Sequence, residues 1–361
     1  MQRVCLWLGL LSLAWPVQGL IWAQAGVSSS DEQSFDVQGV AQMRAGKYFA
    51  AQELFEQALR SGFPDDAHRA VVETHLGESL AAQRLHEDAM KAFETALSLD
   101  AQNKEAQAGE VRSAVQAALA ARAAGDQDGA LAKLVQGRKA VPGSVELMLD
   151  FGIQAEAMRI YKDADAALNQ AHGLEPENLT VLYALARVEL DEQKMPQAEA
   201  HFREYLKAKP DDASAHYGLG HLLHMELKDE EAKVELEKSI ALQPRQTEAY
   251  YQLGEIALAM HEDAEAKADY AKVLAEDPHH GGAVTGMGIL AFRAKDNAEA
   301  EKYLKQAVVD ASDYPTAHRY YAMLLDRMGD HAQAEQEMGL AKQLTEEQNR
   351  LAHGYEIQTP Q

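Results

Sequence analysis

Alanine recurs at a fixed interval through most of this sequence. The members of this register stand 34 residues apart: Ala130, Ala164, Ala198, Ala232, Ala266, Ala300 and Ala334. Two further registers, of prolines and of small residues, keep the same interval of 34: Pro142, Pro176, Pro210, Pro244 and Pro278, and Ala118, Gly152, Ala186, Gly220, Gly254, Gly288 and Ala322. Because three registers share one period, the chain is predicted to be an array of repeats of one supersecondary unit.

The residue types in these registers favour pairs of antiparallel helices. A small residue on each helix leaves no bulky side chain at the crossing, so the two helices approach closely. Proline near the end of the second helix stops it and turns the chain into the next repeat. Helix formers dominate the composition, aromatic residues make up only 7%, and no stretch alternates long enough to predict a strand. The predicted fold class is all-α.

The 34-residue interval also carries a pattern of residue types, L-G…A…F/L/Y…A…P. One copy consists of Leu219, Gly220, Leu223, Ala232, Leu236, Ile240 and Pro244, and the next consists of Tyr250, Leu253, Gly254, Ala266, Tyr270, Leu274 and Pro278. This pattern resembles the tetratricopeptide repeat family. The resemblance implies a right-handed α-solenoid of helix-turn-helix units that binds other proteins.

Nine repeats fit the sequence as one solenoid. Regular repeats occupy residues 145–345, and irregular repeats occupy residues 32–143. The interval lengthens to 38 residues between Ala51 and Ala89 and to 41 residues between Ala89 and Ala130. The added four and seven residues are close to one and two helical turns, at about 3.6 residues per turn. Longer helices are therefore expected there, and not a domain break.

The two ends of the sequence differ from the repeats. Residues 1–25 have one charge, a long apolar run and a small-x-small ending, which predicts a cleaved signal peptide before a flexible leader at 26–31. An uncleaved membrane anchor is the alternative, because the apolar run is almost long enough to span a bilayer. Residues 346–361 are predicted to form a polar cap and tail, with the last helix ending near Gly354. The expected location is periplasmic or secreted.

Net charge and cysteine content narrow the possible functions. The formal net charge is −23 at pH 7, and removal of residues 1–25 takes away Arg3 and leaves −24. Such a surface repels phosphate backbones and anionic lipid headgroups, so neither nucleic acid nor a membrane is an expected partner after cleavage. The only cysteine, Cys5, lies in the predicted signal peptide. The remaining chain therefore has no disulfide, thiolate nucleophile or cysteine metal ligand.

The resemblance implies that the first helix of each repeat lines a concave groove. Positions carried over from the family place eleven candidate partner-binding residues in this groove: Tyr183, Arg187, Tyr217, His221, His224, Tyr251, Glu255, Phe292, Arg293, Arg319 and Arg327. Three of them, Tyr183, Tyr217 and Tyr251, stand 34 residues apart and predict a ladder of rings across neighbouring helices. Rings that merely fill the groove floor are the alternative interpretation.

Charge distinguishes this groove from the rest of the chain. Arg293, Arg319 and Arg327 gather near its C-terminal end, so the groove is less acidic than its surroundings. Scattered, solvated arginines are the alternative interpretation. The lysine and asparagine pattern with which some members of the family grip a chaperone's terminal carboxylate is absent from the sequence, so that activity is not expected.

His221 and His224 form an HxxH pair, which suggests a metal site. Zinc takes three or four ligands, and the nearest inward carboxylates are Asp191 and Glu255 on neighbouring helices. No HExxH motif or cysteine cluster accompanies the pair. We interpret the two histidines as flat contact residues on which a peptide packs. A metal-binding protein or an enzyme that uses this pair is the alternative.

Motifs for nucleotide binding or acyl transfer are missing. The sequence has no glycine-rich phosphate loop before a helix and no GxSxG motif. With these motifs missing, the resemblance to tetratricopeptide repeats implies a non-catalytic scaffold or adaptor, without cofactor or metal. This scaffold is expected to bind a peptide or a partner protein in its groove, in envelope assembly or secretion.

Overall fold

The computed structural model describes residues 32–62 and 65–352, and every regular element in these ranges is an α-helix. The eighteen helices are α1 Glu32–Arg44, α2 Tyr48–Ser61, α3 Asp66–Ala82, α4 His86–Leu99, α5 Lys104–Ala123, α6 Gln127–Ala140, α7 Val145–Ala157, α8 Tyr161–Leu174, α9 Leu179–Asp191, α10 Met195–Ala208, α11 Ala213–Met225, α12 Asp229–Leu242, α13 Thr247–Ala259, α14 Asp263–Glu276, α15 Gly281–Arg293, α16 Asn297–Asp310, α17 Pro315–Met328 and α18 His331–Ala352. The predicted all-α fold of about nine helix pairs is confirmed. The predicted signal peptide, the leader and the chain from residue 353 lie outside the described residues.

The chain divides into two compact units, of which the first ends at Gly109 and the second begins at Glu110. In the first unit, α1 packs with α2 and α3 packs with α4. Phe55 of α2 and Phe93 of α4 are fully buried in these pairs. In the second unit, from α7 onward, each odd-numbered helix packs with the even-numbered helix that follows it. We call the two members of a pair the first and the second helix of a repeat.

Two first helices are longer than those of the later repeats. α3 has 17 residues and α5 has 20, whereas α7, α9, α11, α13 and α15 each have 13. The differences, four and seven residues, equal the lengthening of the sequence interval at these two places. About one and two added helical turns leave the apolar face pointing in its original direction.

The small residues of the sequence registers lie where the helices of a pair cross. Ala232 of α12 is fully buried. Gly220 of α11 faces the same crossing, where an added Cβ would lie 2.8 Å from Cγ of Leu236 and 3.2 Å from the carbonyl oxygen of Ala232. The spacing of these helices therefore depends on the absence of a side chain at Gly220.

A residue in the left-handed conformation follows the first helix of each regular repeat. Five of these residues are not glycine, and their φ angles lie between 59° and 62°: Arg159, Gln193, Leu227, His261 and Lys295. The same position is glycine one repeat before them and one repeat after them, at Gly125 and Gly329. A residue with a Cβ pays about 1 to 2 kcal/mol for this conformation, so five consecutive turns are strained.

Leu227→Gly is expected to raise the free energy of unfolding by about 0.5 to 1 kcal/mol, because glycine adopts a positive φ without this strain. Leu227 is 83% exposed, so the variant loses little packing. The free energy comes from urea unfolding followed by circular dichroism. Glu237→Gly, at an exposed position inside α12, is the matched control and should lose about 1 kcal/mol. A loss of stability in Leu227→Gly would contradict the assignment of strain.

Candidate functional site

The first helices of the second unit form a layer of their own. From α7 to α17, each first helix packs against the next first helix. The second helices from α8 to α18 do not pack against one another in the part of the chain that the structure describes. Neighbouring first helices are thus closer to one another than neighbouring second helices are. A stack of this kind curves toward its first helices. The surface of the first helices, which we call the inner face, is therefore the concave side of this unit.

Tyr183 and Arg187 lie together on α9. The ring centroid of Tyr183 is 5.1 Å from that of Tyr205 and 6.2 Å from that of Phe202, so this tyrosine is half-buried against the core. Cζ of Arg187 lies 5.9 Å from the centroid of the Tyr183 ring. Nη2 of Arg187 donates a hydrogen bond to Oε1 of Glu156 at 2.5 Å. The guanidinium is thus paired with a carboxylate of the preceding repeat.

Tyr217 and His221 stack on α11, with ring centroids 6.1 Å apart and planes inclined by only 6°. Burial lowers the pKa of His221, which favours the neutral ring. Nδ1 of His224 lies 2.7 Å from Oδ1 of Asp229 on α12. The two histidines therefore have different environments: the first packs on a tyrosine of the inner face, and the second contacts the following helix.

These histidines are not part of a recognisable metal site. Among the described residues, no group of three or more His, Cys, Asp or Glu side chains is placed to hold a metal ion. A third histidine of the same helix, His216, is buried, with Nδ1 2.6 Å from Oε2 of Glu235 and Nε2 2.8 Å from the carbonyl oxygen of Pro210. Its ring joins the two helices of one repeat and does not face the groove.

Tyr251 and Glu255 lie one turn apart on α13, where both are partly exposed on the inner face. Oη of Tyr270 donates a hydrogen bond to Oε1 of Glu255 at 2.5 Å. The ring centroid of Tyr251 is 6.3 Å from that of Tyr270 and 4.7 Å from that of His280. Gly282 of α15 makes room for the Tyr251 ring, because a Cβ at this position would lie 2.6 Å from it. The neighbouring repeat thus holds the tyrosine in place.

Burial and neighbouring charged groups shift the pKa values of the side chains in this part of the inner face. Burial raises the pKa of Glu255 above its ordinary value, although a hydrogen bond from Tyr270 lowers it in part. Burial and the nearby Glu248 raise the pKa of Tyr217 to about 12. A hydrogen bond with His280 lowers the pKa of Glu248 and raises that of the histidine. The carboxylates of Glu248 and Glu255 and the imidazole of His280 therefore lie close enough on this part of the inner face to affect one another's protonation.

The remaining predicted residues lie toward the C-terminal end of the unit. Cζ of Arg327 is 3.4 Å from the centroid of the Phe292 ring, and its Nη1 donates to the carbonyl oxygen of Phe292 at 2.9 Å. Arg293, one repeat earlier, donates to the carbonyl oxygen of Leu258 at 2.9 Å. Each of these two arginines thus joins its own repeat to the preceding one. Arg319 is exposed and makes neither of these contacts.

The eleven predicted residues thus form several local groups along the inner face. Sequence reasoning missed Glu248, His280 and Tyr314, which contact Tyr251 or its neighbours. The sequence does contain one sign of these polar contacts, at Tyr270. The corresponding position in other repeats is a buried hydrocarbon side chain, as in Phe202, Leu236 and Leu304. A hydroxyl in this register indicates a polar group below the inner face.

Two models of known protein families match segments of this sequence. One model described as tetratricopeptide repeat matches residues 155–222, and a second with the same description matches residues 37–106, 251–315 and 285–343. Together these segments span well over half of the chain. The chain belongs to the tetratricopeptide repeat family, and it is a protein-interaction scaffold of the all-α solenoid class. No curated protein matches it in sequence.

Solved structures of other repeat proteins are similar to this chain. The APC/C hetero-tetramer Cut9–Hcn1 has a TM-score of 0.50 at 12% identity, over 87% of this chain and 81% of that one, and supports the solenoid fold. Yeast Tom70 has a TM-score of 0.43 at 14% identity, over 87% and 76% of the two chains. YrrB, described as a TPR protein with an unusual peptide-binding site, has a TM-score of 0.42 at 21% identity, over 51% and 95%.

No described segment meets the length and hydropathy requirements of a transmembrane helix.

Proposed function

We propose that the inner face of the second unit binds a protein or peptide partner and that the chain is a non-catalytic adaptor. The observation that carries this proposal is the row of three half-open tyrosines on adjacent first helices, Tyr183, Tyr217 and Tyr251. Each ring is held by packing against a neighbour. Rings that are already fixed lose little side-chain entropy when a partner covers them.

Exposed methionines supply adaptable apolar contacts on two of the first helices. Met225, at the end of α11, is 44% exposed, and Met323 of α17 is 41% exposed. Methionine is flexible and polarisable, so it adjusts to irregular partner surfaces. Rigid tyrosines together with flexible methionines favour recognition of a peptide or a helical segment.

The location and pathway that we propose follow from the first 25 residues. Their apolar run and small-x-small ending support export to the periplasm or secretion. An exported adaptor of high negative charge, without cysteine beyond Cys5, suits a role in envelope assembly or secretion. The partner is then expected among exported proteins.

Charges placed on the inner face test this function. The double variant Met225→Glu and Met323→Glu should raise the Kd for a partner isolated from envelope extract by about 30-fold, equivalent to about 2 kcal/mol, since an interface buries these charges without a counterion. Isothermal titration calorimetry measures the Kd.

The matched control places the same charges on second helices. Val234 of α12 and Val309 of α16 are 50% and 75% exposed, so Val234→Glu with Val309→Glu should leave the Kd unchanged. The opposite result, a weakened control and an unchanged methionine variant, would place the partner on the second-helix side.

A further inference from the structure

A small region of the inner face brings together two glutamates and three tyrosines from consecutive repeats. We call it the tyrosine–glutamate pocket, and its members are Tyr217, Glu248, Tyr251, Glu255 and Tyr314. The side chain of Glu248 is 57% exposed, and the other four residues are partly exposed. The pocket is therefore open to solvent, and a group carried by a partner can reach it.

The charged neighbours of the two carboxylates are histidines. Glu255 accepts a hydrogen bond from Tyr270, and Oε1 of Glu248 lies 3.8 Å from Nε2 of His280. Within the described ranges, no lysine or arginine forms an ion pair with either glutamate. In other carboxylate pairs of this unit a cation lies between the two acids, as Arg203 does between Glu199 and Glu231. The pocket thus offers two carboxylates that pair with no lysine or arginine, although His280 lies beside Glu248.

The aromatic rings also favour a cation here, because the face of a tyrosine ring attracts cations. Tyr251 lies at the centre of the pocket, next to Tyr314. Burial and Glu255 raise the pKa values of Tyr251 and Tyr314, and burial and Glu248 raise that of Tyr217. Glu248 or Glu255 thus lies close enough to each of the three hydroxyls to raise its pKa, although Arg319 acts on Tyr314 in the opposite direction.

We propose that the tyrosine–glutamate pocket binds a cationic side chain, lysine or arginine, of the partner. Glu255 and Glu248 would pair with the ammonium or guanidinium group, and the rings of Tyr217, Tyr251 and Tyr314 would surround its alkyl stem and its charge. The proposal rests on the proposed function, since it names the chemistry that the inner face selects. An acidic chain that repels most anionic surfaces gains from it a specific contact for basic segments.

N-acetyl-arginine amide is the probe that tests the pocket. In the full chain carrying ring-labelled tyrosine, its titration should shift the NMR signals of Tyr217, Tyr251 and Tyr314 in a saturable way. N-acetyl-citrulline amide has nearly the same shape without the charge, and it should bind about tenfold more weakly. Glu255→Gln should remove this preference for the charged probe, whereas Glu237→Gln, outside the pocket, should retain it.

Binding of the arginine probe should also depend on pH. The groups that face Glu255 are Tyr251 on its own helix, Tyr270 from α14, His224 from α11, and His280 as a charge near it. Because burial raises the pKa of Glu255, protonation competes with the cation at a higher pH than for an ordinary glutamate. Affinity should therefore fall as the pH is lowered through this raised pKa, and Glu255→Gln should abolish that part of the pH dependence.

Three outcomes are distinguishable. Preference for arginine that Glu255→Gln removes supports the pocket. Equal responses to arginine and citrulline, or a preference that survives both Glu255→Gln and the more exposed Glu248→Gln, overturn it. If the arginine probe fails while partner affinity still depends on Met225 and Met323, the pocket is wrong and the proposed function stands.

Discussion

A Gly220→Leu variant is expected to lose up to about 3 kcal/mol of unfolding free energy, the largest effect on stability that the fold predicts. The new Cβ would meet Cγ of Leu236 at 2.8 Å and the carbonyl oxygen of Ala232 at 3.2 Å. A side chain such as Leu236 can rotate away, but a helix backbone can move only by separating the two helices. Denaturant unfolding followed by circular dichroism measures the loss.

Gly339→Leu is the matched control for this prediction. Gly339 also lies inside a helix, α18, but no atom lies within 4 Å of an added Cβ there. Leucine has the higher helix propensity, so this variant should be neutral or gain about 0.5 to 1 kcal/mol. Equal stability of Gly220→Leu and the wild type would contradict the assignment of Gly220 to the helix crossing.

The double variant Tyr217→Ala and Tyr251→Ala is expected to weaken partner binding by about 2 kcal/mol or more, roughly a 30-fold rise in Kd. These rings are the fixed aromatic contacts of the inner face. Both are also half-buried against core clusters, so each substitution should cost about 1 kcal/mol of stability. Calorimetric titration well below the melting temperature separates the two effects.

Leu206→Ala with Tyr303→Ala controls for the loss of stability. These residues are likewise half-buried and pack on core clusters, but they lie on the second helices α10 and α16. The control should melt at a lower temperature and keep the partner's Kd. If both double variants weaken binding equally, the loss reflects destabilisation and the aromatic contacts of the inner face are not needed.

Helix pairing was predictable because the constraints that set it are local and recur. A small residue must return to the same crossing in each repeat, so a period of 34 appears directly in Gly220 and Gly254. The extra lengths of α3 and α5 were visible in the same way, as slips of about one and two turns. The left-handed turns were not visible, because residues such as Leu227 carry no sign of a positive φ.

The inner face was predictable in outline, and its contacts were not. Periodicity places Tyr183, Tyr217 and Tyr251 on equivalent positions, but each ring packs on a different neighbour. Those neighbours belong to other helices or to the next repeat, so no local pattern reveals them. The room for Tyr251 depends on Gly282, 31 residues further along the chain. Likewise, no spacing rule shows that Arg293 donates to the carbonyl oxygen of Leu258.

The central claim is that the inner face of the second unit is the partner-binding surface, and site-specific photo-crosslinking tests it most directly. The photoreactive residue p-benzoylphenylalanine would replace Met225 or Met323 on the first helices, or Val234 or Val309 on the second helices, in cells that produce the full chain. All four positions are exposed, so each variant should fold. We predict that one protein adduct, identified by mass spectrometry, forms from the two methionine positions and not from the two valine positions. The same adduct formed from the valine positions alone would contradict this account.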